Sequence, residues 1–232
     1  MLTNTFQNLN RSVVMTAAHC VEDIAASSLQ VRAGDWDITK KIEQFPHVDV
    51  QVESMVVHEN YDDAYRYNNI ALLFLKTQIE NAENINTICL PPQDTNFNDS
   101  QCFSSGWVSD VFGNQDKYQP IMKKIQVPVV SFESCQNSLI KSQLDTILMI
   151  NKSFICAIGK SGKDSCNGDG GSPLVCPVPG HDGHYYQAGF VSTDIGCGET
   201  GVPGIYVNVA AFRTWIDQQL TNKGFNSQPY SI

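Results

Sequence analysis

The chain lacks any long apolar run and any excess of positive charge. No stretch approaches the roughly 20 apolar residues that a helix needs to cross a bilayer. Its 15 Lys and Arg residues are outnumbered by 24 Asp and Glu, which gives a formal net charge of −9. A chain this acidic repels nucleic acid and anionic membranes unless it carries a basic cluster, and its basic runs are no longer than two residues. We therefore exclude both kinds of partner.

The eight cysteines lack the closely spaced pairs of a zinc site. They are spread from residue 20 to residue 197, as disulfide-forming cysteines are in secreted proteins. Asn-x-Ser sequons at Asn10, Asn98 and Asn151 are consistent with an oxidising compartment and with glycosylation. Residues 1–11 contain no apolar segment of a signal peptide, so either the real start lies upstream or this fragment is not exported by itself. The sequence predicts an extracellular, secreted protein.

Short runs rich in Val, Ile, Tyr and Phe recur between turn signals. This spacing predicts an antiparallel β-barrel or sandwich. The predicted strands include Ser12–Met15, Leu29–Ala33, Val48–His58, Ile70–Leu75, Lys123–Val130 and Gln187–Ser192.

One helix is predicted, over Val207–Leu220. Its apolar residues recur at helical spacing and form a stripe that should pack onto the β body. The stripe consists of Val209, Phe212, Ile216 and Leu220. With no internal repeat, the chain is expected to be one domain over residues 1–232, with residues 223–232 as a flexible tail.

Three segments resemble the His, Asp and Ser segments of the chymotrypsin family of serine proteases in order and spacing. His19 lies in Thr-Ala-Ala-His-Cys, Asn69 opens Asn-Ile-Ala-Leu-Leu, and Gly170 lies in Gly-Asp-Gly-Gly-Ser-Pro. The resemblance covers nearly all of residues 13–219. It implies an all-β, trypsin-like fold of two packed six-stranded antiparallel barrels with a C-terminal helix and a site in the cleft between the barrels.

The same resemblance implies three disulfides. These are Cys135 with Cys156, Cys166 with Cys197, and Cys102 with Cys176. Cys20 would normally bond an upstream cysteine, but Asn4 stands at that position, and Cys89 resembles the cysteine that tethers a protease domain to a preceding light chain. An N-terminal portion, with any clip domain, is therefore expected outside this sequence. A Cys20–Cys89 bond is the alternative, and it requires the two residues to lie within about 7 Å.

Two of the three catalytic positions lack the side chain that the mechanism needs. Gly170 stands at the serine position and offers no hydroxyl for His19 to deprotonate. Asn69 stands at the aspartate position, and this exchange costs on the order of 10⁴ in rate where it has been made. The implied oxyanion hole uses the backbone N–H groups of Gly168 and Gly170. We therefore predict a pseudoprotease without enzymatic activity.

Two alternatives remain open. An active trypsin-like endopeptidase would need Ser172 as a relocated nucleophile, but a shift of two residues exceeds the half-ångström tolerance of a catalytic site. We interpret Ser172 as a residue that fills space near the cleft floor. The other alternative is a truncated product that cannot fold stably.

The substrate pocket implied by the resemblance is altered at its mouth. Asp164 stands where trypsin-like enzymes bind a Lys or Arg side chain, and Gly204 keeps one wall open. Ser192-Thr193-Asp194 replaces the family's Ser-Trp-Gly, so Asp194 should narrow the entrance. Asp164 is therefore interpreted as an inherited carboxylate without a present ligand.

No cofactor requirement is predicted, and calcium is the one candidate ion. Asp35, Asp37 and Glu43 lie on the loop where some members of the family bind calcium, although acidic loop residues are mostly solvated. Asp169 would pair with a new amino terminus in an activated protease, but no Ile-Val-Gly-Gly-like start is present to supply it.

Further segments narrow the resemblance. Residues 168–177, Tyr185–Gly189 and Val207–Asp217 are similar to those of arthropod clip-domain serine protease homologs, the phenoloxidase-activating factor 2 group. The resemblance implies a secreted, non-catalytic protein of innate immunity that acts as a cofactor or adaptor in prophenoloxidase activation and melanisation. The implied partners are proteins, either a serine protease or prophenoloxidase.

Overall fold

The computed structural model describes residues 7–40, 43–107, 120–142, 149–159, 170–193 and 201–225, with residues 7–10 described by their backbone. Eleven strands lie in these ranges: β1 Gln7–Asn10, β2 Val13–Thr16, β3 Gln30–Ala33, β4 Val48–Val57, β5 Ala71–Leu75, β6 Gln101–Gly106, β7 Lys123–Val130, β8 Phe154–Ala157, β9 Pro173–Pro177, β10 Tyr185–Thr193 and β11 Gly204–Asn208. Two α-helices accompany them, α1 Phe132–Ser142 and α2 Arg213–Asn222. No helix among the described residues is long and apolar enough to cross a membrane.

The first half of the chain forms a five-stranded antiparallel sheet in the order β1-β2-β5-β4-β3. β2 and β5 are buried on both faces, which explains why all of their residues except Thr16 are apolar. Because side chains alternate along a strand, Met15 and Leu72 pack on a core shared with the second half. Val14 and Leu73 point to the other face and pack on a core that the sheet itself covers.

The predicted closure of this first half into a six-stranded barrel is not found in the described residues. β1 pairs there with β2, and β3 pairs there with β4, so that both strands are edges of the sheet. A barrel requires a further set of backbone hydrogen bonds to join such edges. The all-β class and the C-terminal helix are confirmed.

The second half is a closed barrel in the order β10-β11-β8-β7-β6-β9, as predicted. Two of the implied disulfides are confirmed: Cys102–Cys176 joins β6 to β9, and Cys135–Cys156 joins α1 to β8. The third, Cys166–Cys197, lies outside the described residues. Neither Cys20 nor Cys89 belongs to a disulfide of the described part of the chain, so the alternative bond between them is not formed.

The predicted helix began too early. Val207 lies in β11, where it pairs with Phe190 of β10 and Phe154 of β8, and backbone bonding on both sides overrides the helical periodicity of the sequence. A 3-10 turn over Val209–Phe212 follows, and α2 begins at Arg213. The apolar stripe is nevertheless buried as predicted, in the core shared by the two halves.

The start of the predicted tail contacts the body of the protein. The Phe225 N–H donates to the Leu220 carbonyl at 2.9 Å, and the Phe225 ring stacks on Phe74 with centroids 5.8 Å apart. Residues 226–232 lie outside the described ranges.

The sequence prediction also missed α1. Its apolar signal is weak, because only Cys135 and Leu139 are buried on a largely polar helix. These two residues are four positions apart and therefore lie on one face.

Candidate functional site

Strand pairing in the sheet brings His19 and Asn69 together. β2 and β5 are antiparallel, and Thr16 at the end of β2 pairs with Ala71 at the start of β5. His19 lies in a 3-10 turn just after β2, and Asn69 lies just before β5. Residues 50 positions apart in sequence thus meet at one edge of the sheet.

The closed barrel supplies the other side of the site. Pro173 of β9 pairs with Phe190 of β10, and the Gly171 N–H donates to the Val191 carbonyl at 3.0 Å. This pairing places Gly170 beside β10, the strand that contains Ser192. His19, Asn69, Gly170 and Ser192 are therefore assembled as one site.

Asn69 is fully buried, and its amide orientation is determined by its neighbours. The His19 backbone N–H donates to Asn69 Oδ1 at 3.0 Å. Asn69 Nδ2 lies 3.3 Å from the Ser192 carbonyl oxygen and 3.0 Å from Ser192 Oγ, both of which accept. In the flipped orientation, Asn69 Nδ2 would face the His19 backbone N–H, and Oδ1 would face the Ser192 carbonyl oxygen, so neither hydrogen bond could form. Nδ2 must therefore face the ring of His19.

This orientation determines the tautomer of His19. Asn69 Nδ2 lies 2.8 Å from His19 Nδ1, which must accept the hydrogen bond because the amide nitrogen can only donate. The ring proton then lies on Nε2, which points to Cys20 Sγ at 3.4 Å. A general base for a nucleophile needs its lone pair on Nε2 and a proton on Nδ1. The described site therefore holds the imidazole in the opposite tautomer, with the proton on Nε2 and the lone pair on Nδ1.

The His19 ring also occupies the space next to Gly170. A Cβ placed on Gly170 would lie 2.6 Å from His19 Nε2 and 3.3 Å from Cys20 Sγ. The first distance is too short for any side chain, so a residue other than glycine requires the ring to move. Glycine at position 170 therefore supplies no nucleophile, and its lack of a side chain leaves room for the His19 ring.

Burial lowers the pKa of His19 below its ordinary value of 6.5, and the charge of Arg66 lowers it further. The charge of Asp63 acts in the opposite direction. Arg66 is positioned by Tyr61, whose hydroxyl lies 2.6 Å from the guanidinium, and by an ion pair with Asp63. At neutral pH the imidazole is therefore uncharged.

Replacing Arg66 by glutamine should raise the pKa of His19, because it removes the nearby positive charge. Because the pKa of His19 is lower in the folded state, His19 of the unfolded chain takes up a proton first as the pH falls below 6.5. The folded protein therefore loses stability over that pH range. The variant should lose less stability over that range. NMR titration of the His19 Cε1–H resonance measures the pKa, and Arg11→Gln, which breaks an exposed ion pair with Glu80, serves as the control. Equal His19 titrations in both variants would contradict the role of Arg66.

The structure places the remaining predicted site residues as follows. Ser192 is a buried support of Asn69, which sequence reasoning missed, because it assigned Ser192 to a substrate pocket. Gly204 opens β11, where it pairs with Ala157. Gly168, Asp164, Asp169 and Asp194 lie outside the described residues.

Ser172 is 1% exposed, and its Oγ has no hydrogen-bond partner within the described part of the chain. A serine hydroxyl becomes a nucleophile when a base takes its proton. No such base forms a hydrogen bond with Ser172 among these residues.

The acidic loop, defined as residues 34–40 and 43–47, contains the three calcium candidates Asp35, Asp37 and Glu43. The Asp37 carboxylate accepts hydrogen bonds from Thr39 and pairs with Lys40, with Thr39 Oγ1 at 2.6 Å and Lys40 Nζ at 3.1 Å. The groups that do converge are Asp35, Glu43 and His47, with one ligand atom of each within 4.8 Å of the others. The sequence prediction missed His47.

Comparisons with known proteins give consistent results. The trypsin family model matches residues 8–216. The chain is 42% identical over 224 residues to Phenoloxidase-activating factor 2 of Galleria mellonella, a match that covers 96% of this chain and 73% of that protein. It is 40% identical over 208 residues to Inactive CLIP domain-containing serine protease A3 of Aedes aegypti, covering 88% of this chain and 43% of that protein. The corresponding protein A8 of Anopheles gambiae is 35% identical over 205 residues, which cover 88% of this chain and 55% of the relative.

Proposed function

The chain belongs to the trypsin family. We propose that it is a secreted member of this family that does not cleave peptide bonds. We propose that it acts as a cofactor or adaptor protein in arthropod prophenoloxidase activation and melanisation. The observation that carries the proposal is that Asn69 holds the His19 proton on Nε2, beside a glycine at position 170.

The proton arrangement argues against acyl transfer. A protease of this family needs a hydroxyl, a base that removes its proton, and a carboxylate that stabilises the resulting imidazolium. The chain has glycine at position 170, a donor on His19 Nε2 and a neutral amide at Asn69. Loss of the nucleophile still leaves roughly 10³ to 10⁴ over the reaction in water, which is negligible beside a working protease.

The names of the relatives support the immune role. One is named for the activation of phenoloxidase, and two are named as inactive CLIP domain-containing serine proteases. A protein of this kind acts by binding, and its partners would be a serine protease or prophenoloxidase. An active endopeptidase remains the competing function, and it would depend on the buried Ser172.

Secretion agrees with the two disulfides and with one accessible sequon. Asn98 is exposed and is suited to carry a glycan. The Asn151 side chain, by contrast, accepts hydrogen bonds from Ser153, with N at 2.8 Å and Oγ at 2.6 Å. Asn98 is therefore the better of these two sites.

A paired assay on purified, disulfide-intact protein tests the function. The wild-type chain should show no labelling by a fluorophosphonate and no turnover of tryptic peptides. It should increase phenoloxidase activity when added to prophenoloxidase with its activating protease, and the increase should survive prior treatment of the chain with the fluorophosphonate.

Three outcomes would contradict the proposal in whole or in part. Fluorophosphonate labelling of the wild-type chain that disappears in Ser172→Ala would show that the chain is an active enzyme with Ser172 as its nucleophile. An increase in phenoloxidase activity that fluorophosphonate treatment abolishes would show that the chain acts by catalysis. Failure to bind or stimulate either protein would reject the cofactor role while leaving the loss of catalysis in place.

A further inference from the structure

Two carboxylates and one imidazole converge at the base of the acidic loop. Ala33 at the end of β3 pairs with Val48 at the start of β4. This pairing brings Asp35, two residues beyond β3, close to His47, one residue before β4. Glu43 completes the group, in which the three ligand atoms lie within 4.8 Å of one another.

The carboxylates contain buried oxygen atoms without a hydrogen-bond partner among the described residues. Asp35 is only 6% exposed, and its Oδ1 has no partner there, while its Oδ2 lies 3.4 Å from Arg32. Glu43 Oε1 accepts from the Asp37 N–H at 2.9 Å, and its Oε2 is buried without a partner in the same ranges. A buried carboxylate oxygen that lacks a donor is costly, and a bound cation would compensate both.

The local charge allows a cation to bind. Two positive groups lie nearby, and each is paired with a carboxylate outside the cluster. Lys40 pairs with Asp37 at 3.1 Å, and the Arg32 guanidinium forms a two-point ion pair with Asp49, at 2.7 and 2.8 Å. The charges of Arg32 and Lys40 are thus largely matched outside the cluster. The two carboxylates of Asp35 and Glu43 together match the charge of a divalent ion.

Calcium, the ion expected from the family resemblance, fits this group poorly. Calcium takes 6–8 oxygen ligands, whereas the Asp37 carboxylate is occupied by Thr39 and Lys40. Two carboxylates with one imidazole instead match the ligands of a borderline-soft divalent ion such as Zn²⁺.

We propose that Asp35, Glu43 and His47 form a structural binding site for a divalent metal ion of the zinc class, with water in the remaining position. The ion would fix the loop where it meets the second half of the protein. The Trp36 carbonyl accepts there from Trp107 Nε1 at 3.1 Å and from the Met122 N–H at 2.9 Å. The site is independent of the degenerate catalytic position and does not rest on the proposed function.

Isothermal titration of the metal-free full chain with Zn²⁺ and with Ca²⁺ tests the site. Wild type should bind one Zn²⁺ through this cluster, at least about 100-fold more tightly than His47→Ala. Loss of a group that only hydrogen-bonds to a metal ligand already lowers metal affinity by 10- to 100-fold, and loss of a ligand should cost at least as much. Asp35→Asn should weaken binding similarly. The matched control is His181→Ala, which changes an exposed histidine on the turn between β9 and β10 and should bind as wild type does.

Three readouts guard against misfolding of the variants and against binding of the metal by thiols. Zn²⁺ should raise the melting temperature of wild type and His181→Ala but not of His47→Ala, and far-ultraviolet circular dichroism should show that His47→Ala and His47→Gln are folded. Co²⁺, used as a spectroscopic substitute, should bind without the intense charge-transfer band that a cysteine thiolate would add. The proposal is wrong if Zn²⁺ does not bind, if His47→Ala and His47→Gln bind it as wild type does, or if Ca²⁺ binds more tightly than Zn²⁺.

Discussion

Restoring the serine by Gly170→Ser should leave the protein unreactive toward a fluorophosphonate, whereas the double variant Asn69→Asp, Gly170→Ser should react about 10⁴-fold faster than the single variant. In the single variant, Asn69 Nδ2 still donates to His19 Nδ1, so Nε2 carries the proton and cannot accept one from the new hydroxyl. A carboxylate at position 69 accepts from Nδ1–H instead, and this frees the Nε2 lone pair.

The new side chain must also displace the His19 ring. A Cβ at position 170 would begin 2.6 Å from Nε2, so we expect both serine variants to lose about 1–3 kcal/mol of stability, as overpacked sites do. Asn69→Asp alone is the control, and it should remain unlabelled because it has no nucleophile. A single Gly170→Ser variant that reacts as fast as the double variant would show that the proton is not held on Nε2.

Replacing Phe190 by alanine should destabilise the protein by about 3–5 kcal/mol, the range for a fully buried aromatic residue. Phe190 lies in β10 and is 0% exposed. It packs in the core that also contains Met15 and Leu72 of the sheet and Ile216 of α2. The truncation therefore removes contacts among all three parts of the fold.

Urea denaturation under non-reducing conditions measures this loss. Phe132→Ala is the matched control, because Phe132 at the start of α1 is 52% exposed and its truncation should change stability by no more than about 0.5 kcal/mol. A loss below about 1 kcal/mol for Phe190→Ala would mean that the two halves do not depend on this shared core.

The strands with the strongest apolar patterns were predictable. β7 was predicted at its observed bounds, and β4 was predicted one residue too long at its end. β9 and β11 were missed, since β9 is five residues long with proline at both ends, and the sequence of β11 runs into the apolar stripe of the helix. Such strands are specified by their partners in the barrel more than by their own sequence.

Within the site, the sequence identified the positions but not their interactions. His19, Asn69 and Gly170 were found from motif order, and the structure brings them together. The support of Asn69 by Ser192 was missed because the sequence analysis assigned Ser192 to the substrate pocket. The charge of Arg66 was missed because Arg66 belongs to none of the recognised motifs. In the acidic loop, the calcium candidates Asp35 and Glu43 lie near His47, which the sequence analysis did not name, whereas Asp37 pairs with Lys40.

The sequence alone determined which chemical groups exist at the site: glycine in place of a hydroxyl, an amide in place of a carboxylate, and cysteines of which four form the two confirmed disulfides. The tertiary structure decided how those groups are oriented. The His19 tautomer depends on the direction of the Asn69 amide, which is set by a carbonyl 123 residues away in β10. Chemical identity is a property of each residue, whereas a hydrogen bond depends on distances and angles between groups that only the folded chain brings together.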